Sequence, residues 1–258
     1  MKRRKIIRAG LIILLAAVIG FSGYQLFVIR GNYADEAKIH EALLRYEPAL
    51  PAGPNARASG AESSGGDAEA STLNPSVTAL QAKYAGVVGW LTVPNTKIDY
   101  PFAQADDNDY YLHADLSGNA LQAGTIFMDY RNHADFSDFN TILYGHHMKN
   151  GSMFGTLQNF NSQSFFNTNT TGTIFLADKT YTITFFAYIV LQPDDPYVYN
   201  PSITTDADKT AYFAHVKSIA RYYRDPGNTT DEHILTLSSC DYEFDNAREV
   251  LLGRLTEN

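Results

Sequence analysis

Near its start the chain carries an uninterrupted apolar segment that determines how the rest must be organised. Residues 9–29 (AGLIILLAAVIGFSGYQLFVI) hold no charged side chain, and Ser22 and Gln25 are the exceptions to their apolar character. As a helix rising about 1.5 Å per residue, the segment is roughly 30 Å long, which matches the hydrocarbon core of a bilayer. The sequence therefore predicts one membrane span with a separately folded body after it.

The charges that flank this segment predict its orientation. Residues 1–8 (MKRRKIIR) are strongly basic, whereas Arg30 is the only charge at the far end of the segment. By the positive-inside rule the short N-terminus stays in the cytoplasm and everything after Arg30 is exported. A cleaved signal peptide is the alternative, but it usually has a shorter apolar region and an A-x-A-like cleavage site. We therefore expect a cytoplasmic tail at 1–8, an uncleaved transmembrane signal anchor at 9–29, and a single-pass cell-membrane protein whose body is extracellular.

The body itself is acidic. Five of the 20 Lys and Arg residues lie in the tail, so 15 basic residues face 28 acidic ones in the remainder, a formal charge of −13. A body of that charge without a basic stripe does not suit a polyanion, so we expect no nucleic-acid partner.

A stalk and a linker are predicted between the membrane span and the body. Residues 34–46 have helix-forming composition with one apolar face, and residues 51–72 are rich in Pro, Gly, Ser and Ala without a large apolar side chain. We assign residues 30–73 to a stalk helix with a flexible linker, and residues 74–258 to the folded domain. A short helix is expected to begin that domain at Asn74-Pro75-Ser76.

The folded domain reads mainly as β-structure. Eight runs of apolar, β-branched and aromatic residues predict strands at 87–93, 98–103, 125–130, 141–146, 173–177, 181–191, 234–240 and 249–255. Helical spacing of apolar residues predicts one helix at Asp206–Arg224, between the sixth and seventh strands, ended by Asp225-Pro226-Gly227. The pattern favours a closed eight-stranded β-barrel with helical insertions, and a β-sandwich is the alternative.

The chain has a single cysteine, Cys240, so no internal disulfide can form. It ends the predicted strand ILTLSSC and precedes the polar turn DYEFDNA, and a strand end facing a loop is where a scaffold presents a nucleophile. Because the thiolate is the reactive form, such a cysteine needs a base or a cation nearby. The alternative is a buried cysteine that only fills the core.

Two helpers for Cys240 can be proposed from position. His146, followed by His147, ends the run NTILYGHHM, so it can meet the cysteine if the two strands are neighbours, and Gly145 is expected to let the backbone turn there. Arg248 opens the last strand, where a hairpin would bring its guanidinium beside the thiol, and Arg254 is the weaker candidate. The alternatives are a solvated loop histidine and a surface arginine paired with an acidic residue of the turn. No further ligands stand at metal-binding spacing around the His pair, so we expect no metal.

Five segments together resemble class B members of the sortase family. TLSSC (Thr236–Cys240) is similar to the family's TLxTC signature, with Ser239 in place of the second Thr, and Arg248 stands where the family has its arginine. Residues 140–157 resemble the segment around the family's catalytic histidine, which corresponds to His146. The others are VGWLTVPNTKIDYP, DNDYYLH and GTIFMDYRN, and the resemblance extends from about Asn74 to the C-terminus.

The resemblance implies a mainly β fold, an eight-stranded barrel with N-terminal helices and a helix between strands six and seven. It also implies a membrane-anchored, Gram-positive-type cysteine transpeptidase with a peptidase-like (thiol protease, hydrolase) first step and no cofactor. Cys240 would cleave the C-terminal sorting signal of an exported protein after Thr, forming a thioester that a peptidoglycan-precursor amine of the lipid II type resolves. His146 would be the acid and base, and Arg248 would stabilise the oxyanion. Asn108, Leu112 and Ser238 would contact the peptide, whose motif in this class is often NPQTN-like.

Three other functions remain alternatives on sequence. A class B enzyme of this kind can polymerise pilins instead of anchoring proteins to the cell wall. L,D-transpeptidases also use a cysteine, but they place Gly before it and Arg almost directly after, whereas here Ser239 and Asp241 flank Cys240. The non-enzymatic alternative is a membrane-anchored extracellular binding module.

Overall fold

The computed structural model of the protein describes residues 2–49, 74–225, 227, 230–240 and 247–258; for residues 2–9 and Cys240 the description covers the backbone alone. The chain divides into two compact units, Met1–Ala42 and Leu43–Asn258. The predicted flexible linker at 51–72 lies outside the described residues.

A single long helix, α1 (Lys2–Leu44), runs through the predicted span and most of the predicted stalk helix. Its large apolar side chains from Leu11 to Phe27 are all exposed. By length and composition, Gly10–Leu44 qualifies as a candidate membrane span. The predicted span is therefore helical and presents an apolar surface.

The second unit is a β-barrel with short helices attached. Its strands are β1 (Val87–Thr92), β2 (Asp99–Ala103), β3 (Ile126–Met128), β4 (Asn140–Gly145), β5 (Thr171–Phe175), β6 (Thr180–Leu191), β7 (Tyr222–Tyr223), β8 (His233–Cys240) and β9 (Arg248–Glu257). Its helices are α2 (Pro75–Lys83), a 3-10 helix (Gly155–Asn161), α3 (Gln163–Thr168) and α4 (Asp206–Ile219). All eight predicted strands and the helix expected after Asn74 are confirmed.

Pairing between β5 and β6 closes the sheet on itself. The strands follow the order β5-β1-β2-β3-β4-β8-β9-β6, and β6 then pairs with β5, so eight strands form a closed barrel. A closed barrel leaves none of these eight strands as a free edge along its full length. The barrel prediction is confirmed, and the β-sandwich alternative is wrong.

The predicted helix at Asp206–Arg224 ends too late. α4 begins at its capping residue Thr205, whose hydroxyl accepts a hydrogen bond from the Asp208 amide, and it stops at Ile219. The next residues form β7, which pairs with Ala187 and Tyr188 of β6. The backbone groups of this part of β6 need partners, and a Tyr-Tyr pair suits a strand, so sheet pairing overrides the helical spacing.

α4 packs on the outside of one wall of the barrel. Its buried residues Tyr212, Phe213 and Val216 belong to a cluster that includes residues of β6, β8 and β9. The cluster packs α4 against Ile234 near the start of β8 and against Val250 and Leu252 of β9, away from the C-terminal end of β8.

Candidate active site

The ends of two parallel strands bring the predicted nucleophile and base together. β4 and β8 pair in parallel over six residues, and the last pair is Gly145 with Ser239. Neighbouring parallel strands end at the same edge of a sheet. The residues that follow this last pair, His146 after Gly145 and Cys240 after Ser239, therefore lie at that edge. The neighbouring-strand relationship assumed from the sequence is therefore present.

Gly145 allows the ring of Phe154 to pack closely against the backbone at this edge. It is not among the residues of the described chain with positive φ. A Cβ at this position would lie 2.8 Å from the ring of Phe154, which is fully buried. The expectation that Gly145 is needed to turn the backbone is wrong, and the requirement is space for Phe154.

Arg248 lies directly opposite Cys240 on the neighbouring strand. β8 and β9 are antiparallel, and Cys240 pairs directly with Arg248. Residues opposite each other in an antiparallel pair share a face of the sheet. Arg254, the weaker candidate, is at the other end of β9, where it forms an ion pair with Glu232 at 3.1 Å. The acidic turn residues weighed as partners of Arg248 lie outside the described residues.

A cavity of about 570 Å³ opens beside these strand ends. It is lined by all five predicted site residues whose side chains the structure describes, which are His146, Arg248, Asn108, Leu112 and Ser238. Aromatic rings form much of the remaining wall, and Tyr144 stacks on Tyr199 with ring centroids 6.3 Å apart. The cavity therefore combines aromatic rings with polar and charged side chains.

The His146 ring is held by a backbone carbonyl. Its Nε2 donates to the carbonyl oxygen of Leu112 at 2.9 Å, and because a carbonyl only accepts, Nε2 carries the proton. Burial lowers the pKa of His146, the Leu112 bond opposes that effect, and the positive charges of His113 and Arg248 lower the pKa further. The neutral ring therefore presents Nδ1 as its proton-accepting atom.

A buried carboxylate supports the groove from below. Asp129, fully buried, accepts hydrogen bonds from Arg131 Nε and Nη2, from the Tyr144 hydroxyl and from the Asn108 side-chain amide. Burial alone would raise the pKa of Asp129, but the bonds from Arg131 and Tyr144 hold it below its usual range. Arg131 also donates to the carbonyl of Tyr199, so this network joins both groove walls.

Sequence reasoning missed this network. The segment GTIFMDYRN, which contains Asp129 and Arg131, was singled out only as part of a resemblance. An Asp two residues before an Arg, next to a strand, is a signal for a local ion pair. Its contacts with Asn108 and Tyr144 depend on the folded barrel.

The remaining described histidines of the barrel have other partners. His133 pairs with Asp138, His215 with Asp195 and His147 with Glu249, at 2.8, 2.8 and 3.4 Å. His113 is exposed near Asp109, and His233 bonds the carbonyl of Asp138. Among the residues that the structure describes, no three His, Cys, Asp or Glu side chains are grouped as a metal site.

Comparisons with known proteins agree with this fold. A family model described as a sortase domain matches residues 91–256. Sortase B of Listeria monocytogenes is 37% identical over 178 residues, which is 68% of this chain and 72% of that protein. The crystal structure of sortase B from Bacillus anthracis matches with a TM-score of 0.71 and 31% identity, covering 88% of this chain and 99% of that one. A Streptococcus pyogenes class B sortase involved in pilus biogenesis matches with a TM-score of 0.64 and 32% identity, over 69% and 97% of the two chains.

The closed barrel and the matching sequence together define a sortase-type cysteine transpeptidase. The chain belongs to the sortase family, in class B. The L,D-transpeptidase and non-enzymatic alternatives are therefore set aside.

The opposite environments of two histidines give a first prediction. The pKa of His146 is lowered by burial, whereas the hydrogen bond that the His133 ring donates to Asp138 raises the pKa of exposed His133. As the pH rises, His146 is expected to lose its proton below the ordinary value of 6.5 and His133 above it. NMR titration of the imidazole signals, assigned with His→Gln variants, measures both.

The control is Asp138→Asn, which should lower the pKa of His133 and leave that of His146 unchanged. Titration of His146 above His133 would contradict the electrostatic description of the site.

Proposed function

We propose that this enzyme cleaves the C-terminal sorting signal of exported proteins after Thr, with Cys240 as nucleophile, His146 as acid and base, and Arg248 as oxyanion stabiliser. The observation that carries the proposal is the register of three adjacent strands. β4 and β8 end side by side at Gly145 and Ser239, and β9 begins opposite Cys240. One thiol, one imidazole and one guanidinium at a single groove edge suit acyl transfer.

The first half-reaction forms a thioester. The Cys240 thiol gives its proton to Nδ1 of His146, and the sulfur attacks the Thr carbonyl carbon. The resulting oxyanion is held by the guanidinium of Arg248 and by backbone N–H groups. The imidazolium then donates its proton to the leaving amine as the peptide C–N bond breaks, which releases the tail of the sorting signal.

The second half-reaction transfers the acyl group. An amine of a peptidoglycan precursor of the lipid II type attacks the thioester, His146 takes the proton from that amine, and the proton returns to sulfur as the C–S bond breaks. The lowered pKa of His146 supports a neutral imidazole at rest, the form that can take the proton from the thiol. The sulfur is nucleophilic only after that proton has left it.

Substitution of the three groups tests this assignment. Cys240→Ala and His146→Ala are expected to lower cleavage of a quenched fluorescent sorting peptide more than about 10³-fold, because each removes a group that makes or breaks bonds. Arg248→Ala should cost about 10² to 10³-fold, and Arg248→Lys should restore little, because lysine lacks the forked donors. A peptide library supplies the substrate and identifies the motif.

Arg221→Ala, an exposed arginine that bonds Asn161, is the matched control and should keep full activity. Thermal melts verify that each variant is folded. Activity that survives His146→Ala and disappears in His147→Ala would move the role of base to the second histidine.

The predicted peptide contacts play different parts in the groove. The side chain of Leu112 lines the cavity, while its carbonyl holds His146. Asn108 accepts from the Tyr130 amide and donates to Asp129, so it shapes the wall as well as facing the peptide. The Ser238 hydroxyl lies 2.9 Å from that of Tyr199 and is buried, so it positions the tyrosine ring.

Leu112→Ala is expected to raise KM about tenfold and to change kcat less than about threefold. The substitution removes apolar contact with the peptide but keeps the carbonyl that binds His146. Steady-state kinetics on the same peptide measure both constants.

Leu116→Ala is the matched control, because Leu116 packs in the same apolar cluster but does not line the cavity. A loss confined to kcat in Leu112→Ala would refute the peptide-contact role of this side chain.

We also propose the membrane arrangement, with residues 1–8 as cytoplasmic tail, 9–29 as anchor, 30–73 as stalk and linker, and 74–258 as extracellular catalytic domain. The apolar exposed face of α1 and its basic start support it. Full-length protein is expected in the membrane fraction after an alkaline carbonate wash and in solution only after detergent. Protease added to intact protoplasts should digest the body.

A variant lacking residues 9–29 is the control and should not remain in membranes. A soluble body whose N-terminus, by mass spectrometry, lies beyond residue 29 would favour a cleaved signal peptide instead.

Polymerisation of pilins is the second candidate function. It is favoured by the match to a Streptococcus pyogenes class B sortase involved in pilus biogenesis. The accepting amine separates the two, since a lysine side chain of a pilin would replace the peptidoglycan amine in the second half-reaction.

A further inference from the structure

Three ionisable side chains meet out of reach of solvent behind the groove edge. Nδ1 of His147 lies 3.4 Å from Oε2 of Glu249, and their side chains are 5% and 2% exposed. The other carboxylate oxygen, Oε1, accepts a hydrogen bond of 2.8 Å from the hydroxyl of Tyr188, which is fully buried. None of the three lines the cavity, and the proposed reaction uses none of them.

His147 and Glu249 each directly follow a proposed catalytic residue in the sequence. Glu249 follows Arg248 on β9, and His147 follows His146 after β4. Successive side chains of an extended chain point to opposite faces, so residues that follow two groove residues face the barrel interior. The burial is consistent with this, since His146 and Arg248 line the cavity and Glu249 is 1% exposed.

The contact between His147 and Glu249 crosses the strand that carries Cys240. β8 lies between β4 and β9, and Ser239 pairs with Gly145 on one side and with Glu249 on the other. His147 lies just after the end of β4 and Glu249 lies on β9. Their side-chain contact therefore crosses β8 at the level of Ser239, one residue before Cys240. Tyr188 extends the connection to β6, the neighbour of β9 on its other side.

Removing a carboxylate from water is costly, and here Oε1 of Glu249 accepts the Tyr188 hydroxyl while Oε2 lies at ion-pair distance from His147 and accepts no hydrogen bond in the part of the chain that the structure describes. Replacing such buried polar groups with apolar residues is often neutral or stabilising, so their presence points to a role in specifying geometry. The arrangement they specify is the lateral spacing of the two segments that carry His146 and Arg248.

We propose that His147 and Glu249 are a positioning pair, anchored by Tyr188, that sets the distance between His146 and Arg248 on either side of Cys240. The inference rests on the catalytic assignment proposed above. Displacement of a reacting group by about 1 Å can cost about 10²-fold in rate, so a pair behind the site affects turnover without touching substrate. Peptide binding in the groove does not depend on it.

A double-mutant cycle on the full-length enzyme in detergent tests the proposal. Glu249→Ala and His147→Ala are each expected to lower kcat for peptide cleavage at least tenfold, with KM changed less than about threefold. The double variant should be no worse than the more damaging single variant within about threefold, because the pair acts as one unit. Glu249→Gln, which keeps an oxygen for Tyr188, should recover part of kcat.

Thr236→Val is the matched control for stability. Thr236 is on β8, the strand of Cys240, and the substitution removes its fully buried hydrogen bond to Asn140 of β4, near the start of both strands and away from the groove edge. It should lower the melting temperature and leave kcat within about twofold. If the alanine variants do not fold, Glu249→Gln and Tyr188→Phe decide the question, and a lower kcat at unchanged KM in both supports the proposal.

Independent losses that multiply in the double variant, or kcat values as unaffected as in Thr236→Val, overturn the positioning role. Failure of this inference is distinguishable from failure of the catalytic assignment. If His146→Ala and Arg248→Ala abolish cleavage while the His147 and Glu249 variants retain it, only the positioning pair is wrong. If His146→Ala and Arg248→Ala also retain activity, the assignment beneath it is wrong.

Discussion

The parallel pairing of β4 with β8 is the contact on which the site depends. These strands are far apart in sequence, and their six paired residues set the level at which both end. A shift of register by one residue would turn every side chain to the opposite face, placing His146 toward the interior. The buried hydrogen bond from Thr236 to Asn140 joins the two strands near their starts, away from the groove edge, and Asn140 also donates to the carbonyl of Val198.

Residues at these strand ends differ in whether they line the groove. Tyr144, Ser238 and Ser239 all line the groove at these strand ends, whereas Glu249, which pairs with Ser239, does not line it and is buried. Ser239 pairs with Glu249 on β9 and with Gly145 on β4, so it lies where the two strands that carry the proposed helpers of Cys240 meet β8.

Local pattern was enough to predict the strands, because β-branched and aromatic runs bounded by turns seldom adopt another structure. It failed where tertiary pairing decided the outcome, as at Tyr222 and Tyr223, whose helical spacing yields to the open edge of β6. Cys240, His146 and Arg248 were found because each stands at a strand end. Asp129, Arg131 and Glu249 were not, since their partners come from distant strands or from the opposite face of a neighbouring one.

In the proposed mechanism, Leu112 joins peptide binding to acid–base chemistry through a single residue. Its side chain lines the groove while its carbonyl fixes the proton on Nε2 of His146. A histidine held in this way keeps one tautomer, so Nδ1 is always the atom that exchanges protons. The burial that lowers the pKa of His146 comes from the same groove wall that would bind the peptide. A filled groove excludes more water and favours the neutral ring, the state that can accept a proton from the thiol, while the same burial makes the ring a weaker base and its protonated form a stronger acid toward the leaving amine.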